Sequence, residues 1–122
     1  MSSSPVSCEI RYRVDPTRIA EFEAYAQIWI KLIERHGGLH HGYFMPREKP
    51  ADAKLSFVGM GNEGAADVAI ALFTFPNEEA DARYREQVAM DPEGVDANAR
   101  FGDAPPFLGY ERIFLTPLSR PA

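Results

Sequence analysis

The run Val68 to Phe75, VAIALFTF, contains a single polar side chain, Thr74, so both of its alternating residue sets are apolar. A strand of this kind sits inside a sheet that is covered on both faces; one with a wet face would alternate with polar residues. The chain must therefore supply, or recruit, a layer on each side of one central strand.

The segments around it show what is available. Cys8, Ile10, Tyr12 and Val14 alternate with Glu9, Arg11 and Arg13, the period-2 pattern of a strand with two unlike faces. Asp15-Pro16 offers a capping oxygen and then a proline whose missing N–H costs nothing in a first helical turn, which predicts a helix start. From there Ile19, Phe22, Ala26, Trp29, Ile30 and Ile33 recur as one helical stripe that suits a sheet. Tyr25, Ile28 and Leu32 form a second ridge, expected to meet another helix of the chain or a second subunit. Gly37-Gly38 stops the helix, and Leu39 to Met45 follows as a strand.

A polar, proline-containing stretch over Pro46 to Lys54 and the glycine-rich LSFVGMGNEGAAD lead into the central strand. Pro76-Asn77 opens a more charged helix reaching about Met90, and Asp91-Pro92 restarts a short helical piece. After a turn-rich break at Gly102 to Pro106, Gly109 to Leu118 carries the last strand. The order is β-α-β-β-α-β, an α+β ferredoxin-like arrangement with helices on one face of a four-stranded antiparallel sheet. No element is left to cover the other face, so the pattern predicts a homodimer that stacks two sheets.

One domain over residues 6–118 suits this length, with flexible tails expected at 1–5 and 119–122. The net charge of −5 opposes attraction to phosphate backbones and argues against a nucleic acid partner. No stretch approaches the roughly 20 apolar residues of a membrane span, and the N-terminus lacks a secretory pattern, so a cytoplasmic protein is expected. Cys8, the only cysteine, has no partner for an intrachain disulfide and reads as a small core residue.

Chemistry-bearing motifs are sparse. Gly59 to Gly64 (GMGNEG) matches the dinucleotide pattern in letters, yet it leads into a strand and not into a helix whose N-terminus would hold a pyrophosphate. His36 and His40 have the spacing of zinc-binding histidines on one helix, but Gly37-Gly38 separates them; His36 suits a capping role. His40 and His41 are strand neighbours pointing to opposite faces, so at most one sees the space between stacked sheets, and no metal site is expected. No nucleophile with a matched base appears, and no cofactor is implied. The candidate ligand-binding set is polar: Arg11 and Arg13 on the first strand, His41 and Tyr43 on the second, and Glu111 and Arg112 on the last. If these line an inter-sheet chamber, the arginines suit an anionic or carbonyl-bearing ligand.

The combination of EIRYRV with its Asp-Pro helix, ERHGGLHHGYF, IALFTFP and the closing YERIFLTPL resembles the NIPSNAP family over nearly the whole chain. The resemblance implies a dimeric α+β barrel, an architecture shared with antibiotic-biosynthesis-type monooxygenases and Dabb stress proteins. The family itself is linked to trafficking, mitochondrial signalling and small-molecule handling. Two features depart from its usual form: the long connection from Lys49 to Asp67, and a second helix, EEADARYRE, that is unusually charged. That helix also lacks the histidine with which haem-degrading relatives hold iron. The implied role is the binding of a small organic molecule in each barrel half. The alternatives are a non-enzymatic protein-interaction module and a cofactor-independent monooxygenase-like enzyme.

Overall fold

The computed structural model describes residues 4–57 and 59–121. Residues 1–3 and 122 of the expected tails, and Val58 in the long connection, lie outside the described residues.

Four strands and three helices run in the order β1 (Val6–Val14), α1 (Ile19–Arg35), β2 (Leu39–Phe44), β3 (Val68–Phe75), α2 (Glu78–Met90), α3 (Pro92–Phe101) and β4 (Phe107–Leu115). All neighbouring strands pair antiparallel, in the spatial order β2-β3-β1-β4. This is the ferredoxin-like sheet, with VAIALFTF as the inner strand β3. Its Ala69, Ala71, Phe73 and Phe75 are buried beneath the helices, and its Val68, Ile70, Leu72 and Thr74 point half-exposed to the other side. Across β1 the same division holds: Cys8, Tyr12 and Val14 are buried on the helix side, and Arg11 and Arg13 are exposed. Burial raises the Cys8 thiol to about 11, which keeps it protonated and inert as a core residue.

The boundaries differ from expectation in three places. Asp15-Pro16 makes a turn before the helix: the Asp15 carboxylate accepts from the Thr17 backbone N–H (3.0 Å) and hydroxyl (2.7 Å). The helix begins only at Ile19, because the side chain that would cap it is already engaged one turn earlier. Asn77 and Asp91 do cap their helices, accepting from the N–H groups of Ala80 (2.8 Å) and Glu93 (2.9 Å). The expected short helical piece is a full helix, α3, and the ridge residue Tyr25 meets its Phe101 edge-on at 5.4 Å. The last strand starts two residues early, at Phe107, and ends at Leu115, before Pro117.

The two glycines after α1 have different duties. Gly37 adopts φ 97°, the left-handed conformation of a helix stop. Gly38 instead permits close approach: a Cβ there would lie 2.6 Å from Ile33 Cγ2 and 3.0 Å from the Phe75 ring. Both neighbours are buried, so they have little room to yield. Gly38→Ala is expected to cost about 1–3 kcal/mol, read as a lower urea midpoint at unchanged slope.

His36 is the C-cap residue of α1, but its ring turns to neighbouring helices and not to the carbonyls. Its Nε2 lies 2.7 Å from Asp91 Oδ2, and Arg35 reaches the same oxygen at 2.9 Å. Hydrogen bonds from His36 and Arg35 hold the Asp91 carboxyl down at about 2. The cluster ties the end of α1 to the start of α3. No helix among the described residues is long and apolar enough to cross a membrane.

Candidate functional site

The helices do not reach the whole sheet. On β4 the register places Tyr110, Arg112 and Phe114 opposite Tyr12, Ile10 and Cys8, so they share the helix-side face. Yet Tyr110 is 63% and Phe114 52% exposed, which marks β4 as the uncovered flank of that face. A cleft runs between this flank and helices α1, α2 and α3. It has three adjoining lobes of about 360, 250 and 160 Å³, all lined by Ile10 and Trp29.

The lining is aromatic to an unusual degree. All five tyrosines of the chain (Tyr12, Tyr25, Tyr43, Tyr84 and Tyr110) and its only tryptophan, Trp29, border these lobes. Tyr25 and Trp29 project one helical turn apart from α1 with ring centroids 6.3 Å apart. Tyr12 is central: it stands 5.2 Å from Phe22, 5.9 Å from Tyr25 and 4.9 Å from Phe107, and its hydroxyl shares a 3.1 Å hydrogen bond with that of Tyr25. Burial pushes the Tyr12, Tyr25, Tyr43 and Tyr84 phenols above their ordinary range. They are neutral hydroxyls that can orient a ligand, not phenolates that attack one.

Among the described residues two buried side-chain polar atoms have no partner, Trp29 Nε1 and His40 Nε2. His40 stacks on Tyr43 at 5.1 Å, and its Nδ1 accepts from the Gly42 N–H at 2.9 Å. With Nδ1 an acceptor, the neutral ring carries its proton on Nε2, so both orphans are N–H donors. Burial lowers the His40 ring to about 4, so it is neutral at pH 7. Between pH 6.5 and about 4 the unfolded chain takes up a proton at this position that the folded chain refuses. Stability should therefore fall as the pH drops through that window, and His40→Gln should flatten that part of a urea-midpoint profile.

The candidate residues chosen from the sequence are divided between the two faces. Arg11, Arg13 and Glu111 lie on the open face, around a separate hollow of about 300 Å³. Their charges are matched there: Arg11 meets Glu9 (2.5 Å) and Glu111 (3.5 Å), and Arg13 meets Asp67 (2.9 Å). His41 is on the same face, with Nε2 2.9 Å from Thr74 Oγ1. Tyr43 and Arg112 are on the opposite face, bordering the aromatic cleft. Plain alternation would put His41 and Tyr43 together, but β2 is bulged between His40 and Gly42, where Gly42 takes φ 107°. The extra residue turns His40 and Tyr43 to the same side.

Solved structures share this architecture. A NIPSNAP family protein from Agrobacterium tumefaciens matches with a TM-score of 0.68 and 16% identity over 97% of this chain and 90% of its own. A NIPSNAP-like domain protein from Burkholderia xenovorans matches with a TM-score of 0.67 and 19% identity over 99% of this chain and 91% of its own. The fold is that of NIPSNAP family proteins. A putative antibiotic biosynthesis monooxygenase from Nitrosomonas europaea shares it more distantly, with a TM-score of 0.60 and 8% identity over 97% of this chain and 94% of its own. No protein-family model and no curated protein matches the sequence.

On this NIPSNAP-like frame the reading from charges left out Tyr12, Tyr25, Trp29, Tyr84 and Tyr110, which line the cleft, and His40, which stacks on Tyr43. A signal for them existed. Tyrosine and tryptophan occupy core-stripe positions where phenylalanine or leucine would pack as well, and each brings a polar atom that needs a partner. Among the described residues no group of three or more His, Cys, Asp or Glu side chains is placed to hold a metal ion.

Proposed function

We propose that this NIPSNAP-like protein is a cytoplasmic homodimer that binds a small organic molecule in the interlayer cleft of each subunit. The observation that carries this reading is the convergence of every tyrosine and the only tryptophan on one set of adjoining cavities. Ligand pockets are concave and mostly apolar, with a few placed polar groups, and span some 300–1,000 Å³. A purely structural core would have closed these spaces and paired its polar atoms.

The homodimer rests on the open sheet face. Half-exposed Val68, Ile70 and Leu72 of β3 adjoin exposed Leu39 and Phe44 of β2, and exposed Ile113 and Leu115 of β4 lie beyond the charged row of β1. The apolar β2–β3 part of this face marks an interaction surface, and a second copy supplies a matching one by two-fold symmetry. The ion pairs of Arg11 and Arg13, on the inner strand β1, then lie within the interface and set its register.

A panel of neutral and charged aromatic fragments, screened by ¹H–¹⁵N correlation NMR, tests the site. The sole tryptophan gives one indole N–H signal. Hits are expected to move that signal together with amides of α1, β1 and β4. A panel that leaves it unmoved, or shifts only amides of open-face residues, overturns the reading.

A further inference from the structure

The cleft is asymmetric in hydrogen-bonding character. Its one orphaned buried side-chain atom, Trp29 Nε1, is a donor, and no buried side-chain acceptor is orphaned among the described residues. Its cation is also unmatched. Arg112 borders the two larger lobes with Trp29, and its guanidinium carbon stands 4.9 Å over the Phe114 ring. Among the described residues it has no carboxylate partner. The one carboxylate lining those lobes, Asp81, is engaged by Arg85 at 3.1 Å. The arginines of the open face, by contrast, are already paired within the chain.

A ligand that completes this site must bring acceptors and negative charge, and it must offer flat faces to aromatic rings. Building on the ligand-binding reading above, we infer that the cleft takes a planar aromatic carboxylate. Its carboxylate lies on the Arg112 guanidinium, its ring packs between Trp29 and Tyr110, and an oxygen substituent on the ring accepts from Trp29 Nε1–H. Arginine suits the first contact because its fork of N–H donors matches a carboxylate's two oxygens. A ring carrying an oxygen would also relieve the desolvation that the indole N–H now bears without compensation. An amine or a neutral sugar would be the poorer match: the first adds positive charge beside Arg112, and the second brings it no negative charge.

Three probes separate the contacts: 6-hydroxy-2-naphthoate, 2-naphthoate, which lacks the ring oxygen, and 6-hydroxy-2-naphthamide, which lacks the charge. By titration calorimetry at pH 7, the full probe is expected to bind at least about 10-fold more tightly than the amide. Arg112→Gln should remove that advantage while leaving amide binding unchanged; Arg112 is exposed on an edge strand, so the variant folds. Arg11→Gln, on the other face, should change neither. Loss of the ring oxygen should weaken binding about 3-fold or more and abolish the downfield shift of the Trp29 indole proton.

Equal binding of carboxylate and amide overturns the aromatic-acid inference and leaves the ligand-binding reading standing. The inference falls in the same way if Arg11→Gln is the variant that loses the carboxylate, or if only neutral fragments bind. If no aromatic of any charge binds, both readings fall.

Discussion

Phe22→Ala should lower the free energy of unfolding by about 3–5 kcal/mol, a large part of the total for a domain of this size. Phe22 is fully buried and meets Tyr12 at 5.2 Å, Tyr43 at 6.0 Å and Phe107 at 6.4 Å, so it is the wedge between α1 and three strands. Removing the ring leaves a void whose walls are themselves large aromatics, which rotate into it only with rearrangement of their neighbours. One such neighbour is Tyr12, the centre of the cleft lining, so the variant should also loosen the ligand site. Denaturant titration reads the first effect, and Phe22→Leu should restore most of it. A loss below about 1 kcal/mol would mean that the aromatic cluster is not close-packed.

Ile70→Asp should convert the particle from twice 13.6 kDa to 13.6 kDa by light scattering. Ile70 lies on the inner strand β3, with Arg11 of β1 on one side and Phe44 of β2 on the other. In stacked sheets it would sit near the centre of the buried patch, where a further carboxylate beside an Arg11 already matched by Glu9 and Glu111 is costly to desolvate. Its side chain is half-exposed in the single chain, so the folded monomer should tolerate the change and keep its thermal transition cooperative. A parent chain that is monomeric at micromolar concentration would rule out the stacked-sheet dimer. A variant that stays dimeric would move the interface to another surface.

Much of the fold was legible because hydrophobic periodicity is a direct record of which faces are covered. VAIALFTF reads as buried on both sides, and it is β3. The alternation of Cys8 to Val14 gives β1 its two faces correctly. Legibility failed where one residue changes the phase. The bulge after His40 reverses every later side chain of β2, and its only trace in the sequence is a glycine inside a strand. Asp15-Pro16 misplaced the start of α1 for a related reason, since an aspartate serves a tight turn as readily as a helix cap.

The site was less legible than the fold. Charged residues on strands attract attention, yet Arg11 and Arg13 are partnered by Glu9, Glu111 and Asp67, and only pairing across elements reveals it. Arg112 looks the same in sequence and differs only because β4 lies beyond the reach of the helices. Trp29 and the tyrosines fall on core stripes, where their apolar bodies satisfy the helical or strand pattern by themselves. What separates them from plain core residues is the position of one polar atom in each, a property of the packed molecule.

Whether the aromatic cleft is a ligand site is decided by a crystal structure grown with 6-hydroxy-2-naphthoate. One molecule per chain is expected between α1, α3 and β4, its carboxylate within hydrogen-bonding distance of Arg112 and its ring oxygen facing Trp29 Nε1. Electron density only on the open sheet face beside Arg11 and Arg13, with the aromatic cleft closed by its own side chains, would contradict that placement and the function built on it.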